Sequence, residues 1–387
     1  MSALPQLQLR FVGADALARA LRETGAPHLP LDRLADNYGV GNSALHQALT
    51  AKVGQLITTL QPHLRSSRVH WLGAQADVLA LDMALVEHAS QPFALAWVEI
   101  QAFTTMLPTC HTLQLAQRRL CDPGSTWLPH DPLPAGSDWV EHLRPWVAPR
   151  ADTVLIEDHP RTSPAWADLA AARHWWQVDV HDWRELIPAG GYLRHAVTGV
   201  RYSHAWNRLI LPDLPPFERS HAQAVLLAAD KMSWHSHPAW YEGISKGTLA
   251  ELALAPHEAC HWVDNSVSSA SPWTDGQPWV AKPVHGHSSH GVLLNPGPEE
   301  LAALPGPRQW IVQRKFRQVP IARHPLTGQA LFGEIRCMLG LRPGQPPWVM
   351  AWILRCSTNG IATMTGRDSA PGEGMTLLYF HQDGPCP

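Results

Sequence analysis

A lysine closing an apolar run, followed by a loop of small and polar residues, is the first chemically suggestive feature of this chain. The segment reads Trp279-Val280-Ala281-Lys282-Pro283-Val284-His285-Gly286-His287-Ser288-Ser289-His290-Gly291-Val292. A β-hairpin of this composition can fold over a polyphosphate. Lys282 would meet an anionic oxygen, and the backbone N–H groups around Gly286, Ser288 and Ser289, with His285 beside them, would supply a concave set of donors. Any hairpin with a polar tip has a similar look, so the neighbouring features carry weight. Lys246 lies in Gly243-Ile244-Ser245-Lys246-Gly247-Thr248, ahead of a helical segment. Trp310-Ile311-Val312-Gln313-Arg314-Lys315-Phe316 is an apolar strand ending in charge, and Gly333-Glu334-Ile335-Arg336 opens another. Residues i and i+2 of an extended chain share a face, so Glu334 and Arg336 point the same way, one able to hold a metal and the other a phosphate. Glu99 and Gln101 pair up by the same rule.

Rival chemistry is present. His257-Glu258-Ala259-Cys260-His261 matches the His-Glu-x-x-His spacing of zinc hydrolases, which requires a helix to bring both histidines to one face. With 23 histidines in the chain, chance pairs at this spacing are expected. His235-Ser236-His237 reads as a structural or substrate-side pair before Pro238. Cys110 and His111 are adjacent, but nothing around them supplies a nucleophile's setting, so Cys110 reads as a buried thiol.

Several elements must position these groups. Residues from about Ala14 to Leu64 show helical spacing, with breaks at Pro27–Pro30 and Gly39–Gly41. Val69–Leu72, Val78–Leu85 and Phe93–Phe103 read as strands, Leu113–Leu120 as a helix, and Asp122–Pro134 as a linker or lid. A strand at Thr153–Glu157, a helix at Ser163–Trp175 and a strand at Trp176–Val180 argue for a parallel sheet. A hairpin follows over Leu186–Arg201, and then a strand around Trp206–Ile210. Beyond His235 the pattern changes to hairpins, with strands at Val280, Trp310–Phe316, Gly333–Leu341 and Val349–Cys356.

Two lysines, a small-residue loop, an apolar strand with a charged end and an acid-x-Arg strand, in this order, resemble the ATP-grasp superfamily. The Asp-bearing strand and the Glu-x-Asn strand that close the family's Mg²⁺ site have no counterpart after residue 340. Leu81-Asp82-Met83 and Trp97-Val98-Glu99-Ile100-Gln101 stand near the N-terminus instead. The chain therefore resembles a circularly permuted ATP-grasp protein. Val98 to Phe103, Asn207-Arg208, Ile244 to Lys246, Ala281 to Pro283 and Glu334 to Arg336 are similar to motifs of a group of uncharacterised bacterial proteins, over about residues 70 to 370.

This resemblance implies an α/β (α+β) fold in three parts. Residues 1–135 would be a helical region with the permuted metal-binding strands, 150–230 a Rossmann-like pre-ATP-grasp domain, and 231–387 the nucleotide-binding subdomains. It implies ATP and Mg²⁺, with Asp82, Glu99, Gln101 and Glu334 on the metal. Lys246 and Lys282 would hold phosphates together with the loop of His285, Gly286, Ser288 and Ser289. Gln313, Arg314, Lys315 and Phe316 would be the hinge that pairs with adenine. Arg336 would steady the transferring phosphoryl group, Arg355 and Asn359 would serve the acyl-phosphate or acceptor pocket, and Asn207 and Arg208 would clamp a substrate carboxylate. Two departures stand out: Ser288, Ser289 and His290 occupy a loop that is normally glycine-rich, and Gln101 replaces the usual asparagine.

Such enzymes join a carboxylate to an amine. A carboxylate does not expel hydroxide at neutral pH, whereas an acyl phosphate presents a good leaving group, formed by positioning and charge neutralisation. Lys282, Arg336 and Arg355 are the expected catalytic cations. A non-catalytic nucleotide-binding protein is the alternative from another class.

Composition bounds the rest. The 387 residues are 45% hydrophobic and 16% charged, with a formal charge of −3 and no basic run, so a nucleic-acid partner is not expected. Six scattered cysteines without a CxxC pair suggest a reducing compartment. No signal-peptide pattern and no apolar run of about 18 residues is seen, which leaves the cytoplasm as the expected location and no membrane partner. The expected partners are a small-molecule or peptide carboxylate and an amine acceptor.

Overall fold

Period-two alternation of apolar side chains builds the main sheet, and the places where that alternation turns polar define the site. The computed structural model describes the chain except residues 1–3, 27–28, 31–32, 65–75, 122–126, 135–136, 253, 264–276, 286–290, 307, 343, 361–369 and 382–387. Its nine-stranded sheet runs in the order Leu7–Phe11, Asn37–Gly41, Gly374–His381, Trp348–Ser357, Ala330–Gly340, Val78–Val86 and Ala94–Gln101, with Pro320–Arg323 and Trp127–Leu128 paired alongside. Segments far apart in sequence are neighbours here. Arg336 stands opposite Asp82 on one side and Ile353 on the other, and Asp82 stands opposite Glu99.

One face of this sheet is uniformly apolar. Leu79, Leu81, Met83 and Leu85 join Ile335, Cys337, Leu339, Trp352 and Leu354 beneath Leu45, Leu49, Val53 and Leu56 of the helix Ser43–Leu64. The helical residues recur at three and four positions, which makes a single stripe. Burying each such leucine contributes on the order of 1.5–3 kcal/mol. On the other face, Val78, Ala80, Met338, Ile353 and Leu377 pack with residues of the helices Ala14–Glu23, Leu107–Cys121 and Trp139–Val147. That face then changes character. Ala80 gives way to Asp82, Met338 to Arg336 and Glu334, and Ile353 to Arg355.

Two further sheets flank the charged region. Cys260–Trp262, Trp310–Arg314, Trp279–Pro283 and Leu293–Leu294 form an antiparallel sheet. Ser233–His235, His204–Asn207, Thr153–Glu157 and Asp179–Asp182 form a parallel one. The expected hairpin appears as Leu186–Ala189 with Tyr192–His195. The whole is a mixed α/β, or α+β, architecture with separate sheets and helices. No helix of the described residues is long and apolar enough to cross a membrane.

Some expectations change. The run 14–64 is mostly helical, as Ala14–Glu23 and Ser43–Leu64, but the break between them holds an unexpected strand, Asn37–Gly41. Its glycines read as a break, yet they lie within the sheet because neighbours need the space. A Cβ on Gly39 would meet Leu354 and Leu378 at 2.9 Å, and one on Gly41 would meet the Phe380 ring at 2.2 Å. The helix expected to end at Trp175 runs Trp166–Trp176, which moves the following strand to Asp179–Asp182. The strand expected at 69–72 lies outside the described residues.

Candidate functional site

A cavity of about 1000 Å³ lies where the three sheets meet. Its lining includes Glu99, Gln101, Lys246, Lys282, Gln313, Arg314, Lys315, Phe316, Glu334, Arg336, Arg355, Asn359 and Arg208. Residues from distant parts of the chain therefore converge here. Asn207 and His285 do not line it. Gly286, Ser288 and Ser289, with His287 and His290, lie outside the described residues.

The strand Ala94–Gln101 carries an irregularity that sets the geometry. Asp82 pairs with Glu99 and Met83 with Trp97, so Val98 is an extra residue, a β-bulge. The bulge reverses the side-chain phase. Leu95 and Trp97 face the apolar core before it, and Ile100 and Ala102 after it. Glu99 and Gln101 are thereby turned to the cavity. Ala94–Gln101 is also the edge strand of the sheet, and three polar side chains take its outward backbone groups at Trp97 and Val98. Glu258 Oε1 accepts from the Trp97 N–H at 2.8 Å, Gln313 Nε2 donates to the Trp97 carbonyl at 2.7 Å, and Lys282 Nζ donates to the Val98 carbonyl at 3.0 Å. Lys282 also donates to Gln313 Oε1 at 2.7 Å. Burial lowers the Lys282 pKa, against the pull of Glu99.

Beside the bulge, charges are densely paired. Arg336 donates to both Asp82 oxygens, at 2.6 and 2.7 Å, and Arg355 Nη2 reaches Asp82 Oδ2 at 2.6 Å. Arg355 also closes on Glu334. Burial pushes the Asp82 carboxyl up, but Arg336 and Arg355 outweigh it and hold it well below the usual carboxylate range. Glu99 meets Lys246 at 3.3 Å, and Lys246 is buried at the start of the 3₁₀ turn Lys246–Glu251. Four cations, Lys246, Lys282, Arg336 and Arg355, thus stand with three acids, Asp82, Glu99 and Glu334. The balance favours an anion.

Several assignments need correction. Asp82 is 1% exposed and its carboxylate is taken by two guanidinium groups, so it is not poised as a metal ligand. Glu334 is similarly engaged. Mg²⁺ demands near-octahedral oxygen ligands, and the set Asp82, Glu99, Gln101 and Glu334 does not fit a protein-held ion in this arrangement. Gln313 is committed to the bulge, and its strand is hydrogen-bonded on both sides as far as Arg314. The Arg314 guanidinium lies over the Trp279 ring at 4.3 Å. Lys315 and Phe316 leave the sheet and border the cavity directly. Asn207 is fully buried and holds its own loop, its amide bonding Leu209 N–H and C=O at 3.1 Å. His285 is exposed.

The rival sites dissolve. His257 sits in the single turn Pro256–Glu258 and His261 in the strand Cys260–Trp262, so no helix aligns them. Glu258 instead pairs with Lys52 at 2.7 Å. His235 is buried between Asp77 and Thr104, a structural position. Cys110 is buried, and burial raises its thiol pKa well above the usual value.

Sequence reasoning missed the far end of the cavity. Glu157, Asp158, Asp168 and Asp213 line it there beside Arg208. Glu157 and Arg208 lie at the carboxyl ends of the neighbouring parallel strands Thr153–Glu157 and His204–Asn207. In open parallel sheets ligands bind at that edge, which was the available signal. Burial pushes the Glu157 carboxyl up to about 7, only partly offset by Arg208. Asp168 accepts from the Met106 and Thr109 N–H groups at 3.1 Å, capping the helix Leu107–Cys121, and from Arg208 at 2.9 Å.

No family model matches the sequence, and no curated protein matches it either. Among solved structures, a glutathione synthetase-like effector from Globodera pallida, in its apo form, is similar with a TM-score of 0.54 and 9% sequence identity, over 95% of this chain and 96% of that one. The likeness extends through nearly the full length of both chains and shows a shared fold.

Proposed function

We propose that this protein is an ATP-dependent ligase that joins a carboxylate to an amine through an acyl phosphate. The observation that carries this reading is the convergence of Lys246, Lys282, Arg336 and Arg355 on one cavity that also holds apolar Val280, Leu294 and Phe316. Cations of this kind suit a polyphosphate, and the apolar residues suit a flat base. On this reading the chain is a circularly permuted ATP-grasp protein. Val78–Val86 and Ala94–Gln101 play the part of the family's closing strands, and the parallel sheet is its Rossmann-like domain. The fold shared with a glutathione synthetase-like protein supports the class of reaction.

Lys246 and Lys282 then neutralise the phosphates, while Arg336, held rigid by Asp82, faces the charge that builds on the transferring group. Four buried free cysteines, Cys110, Cys260, Cys337 and Cys356, suit a cytoplasmic setting. A second reading has one observation in its favour. Asp82 locked between Arg336 and Arg355 is a stable resting arrangement, as a nucleotide-binding protein without turnover would have.

ATP is expected to raise the melting temperature, by on the order of 2–4 °C or more at saturating concentration. Lys246→Met should remove most of that rise. ADP release on adding panels of acids and amines supports the ligase, and a thermal response without release selects the second reading. A wild-type protein indifferent to ATP sinks both.

A further inference from the structure

The cations Lys282, Arg336 and Arg355 described above come from the other two sheets that meet at the cavity. At its parallel-sheet end, Glu157, Asp158, Asp168 and Asp213 stand with Arg208. Most of these groups are already satisfied. Asp168 is used by a helix cap and Arg208. Asp158 is bound by Arg184 at 2.7 Å. Two groups are left with unused capacity. Glu157 gives Oε1 to the Asp158 N–H at 3.0 Å, while its Oε2 lies 3.9 Å from Arg208 Nε, beyond hydrogen-bond reach. Arg208 is only 6% exposed, and its Nε, buried in the cavity wall, has no hydrogen-bond partner. A buried donor left unpaired is costly, and native proteins rarely leave one without a reason.

We infer that this end of the cavity binds a small amine carrying a hydrogen-bond acceptor next to its nitrogen, an amino amide or amino alcohol, with the ammonium on Glu157 and the acceptor on Arg208 Nε. One carboxylate oxygen and one guanidinium N–H stand side by side with a gap between them. A ligand offering a donor cation and a lone pair on neighbouring carbons completes the pair. A carboxylate ligand would meet Glu157 and the acidic lining, and Asp168 already neutralises much of Arg208. On the ligase reading, from which this assignment takes the role of its ligand, the amine is the acceptor. The ammonium first passes one proton to the Glu157 carboxylate, which frees its lone pair; the nitrogen then bonds to the acyl carbon, the C–O bond to phosphate breaks, and the departing phosphate takes the second proton. A carboxyl raised toward neutrality by burial suits that proton transfer.

The test needs no nucleotide. Melting temperature is measured above neutral pH with glycinamide, ethylamine and glycolate as separate additives. Glycinamide should stabilise most, ethylamine less, and glycolate not at all. Glu157→Gln should abolish the glycinamide response, and Asp213→Asn, on the exposed turn Leu211–Asp213, should weaken it. If Glu157→Gln fails to fold, the order of the three additives on the wild-type protein decides alone. Stabilisation by glycolate in place of glycinamide, no response to glycinamide, or a glycinamide response that survives in folded Glu157→Gln overturns the inference. Because ATP is absent, a failed ligase reading shows separately, as an absent nucleotide response.

Discussion

Two buried carboxylates in this cavity are driven in opposite directions by their surroundings. Asp82 has two guanidinium groups within hydrogen-bond distance, and their attraction exceeds its desolvation. Its contribution to stability is present above the ordinary carboxylate range and is lost as pH falls through its depressed folded value. Glu157 has one guanidinium at 3.9 Å, which leaves desolvation dominant, and its pKa rises from 4.5 to about 7. Between those values the folded protein keeps a proton that the unfolded chain has released, so stability falls as pH rises through the window. Glu157→Gln is therefore expected to flatten that fall and to stabilise the protein above neutral pH by about 3 kcal/mol. Urea denaturation of both proteins at acid and alkaline pH measures it; equal pH profiles would refute the role of this carboxyl. Neither direction was legible in the sequence, since an aspartate or a glutamate acquires its pKa only from neighbours that folding supplies.

Among the elements, the bulged strand Ala94–Gln101 has the largest effect on the site. Strict alternation from Phe93 onward would place Glu99 on the face of Leu95 and Trp97, buried in the apolar core. One extra residue at Val98 rotates Glu99 and Gln101 to the cavity. The strand lies at the sheet edge, and two of its outward carbonyls and one N–H around the bulge are satisfied by Gln313, Lys282 and Glu258. Residues that stood out in the sequence as a nucleotide hinge, a phosphate lysine and a zinc-site glutamate thus share a structural duty. Gln313→Leu, similar in size, leaves the Trp97 carbonyl unpaired in a buried place. The expected loss is about 1–3 kcal/mol, read as a lower denaturation midpoint with unchanged slope. A loss below experimental error would mean that the bulge is held by other contacts.

At the scale of the molecule, the order of strands ties the chain together. Ala330–Gly340 lies between Trp348–Ser357 and Val78–Val86, so its inner hydrogen bonds and the Arg336–Asp82 pair need residues from distant parts of the sequence. A chain lacking residues 1–103 would expose one edge of Ala330–Gly340 and leave the Arg336 guanidinium buried without its carboxylate. Removing one partner of such a pair costs about 3–5 kcal/mol. That truncation is expected to lose cooperative melting and near-ultraviolet circular dichroism. A truncated protein that melts cooperatively would show that the remaining sheet stands alone.

The apolar strands, the acid-x-Arg and Glu-x-Gln faces, the parallel unit and the lysines were written into the sequence, because period-two patterning and residue chemistry are local properties. The strand through Gly39 and Gly41 was hidden, since their use depends on the Leu354, Leu378 and Phe380 side chains above them. Tertiary structure alone decided that Arg336 and Arg355 neutralise Asp82, that a bulge aims Glu99, and that Glu157 and Arg208 face one another across a gap. Those outcomes depend on distances between residues far apart along the chain, and spacing in sequence does not encode such distances.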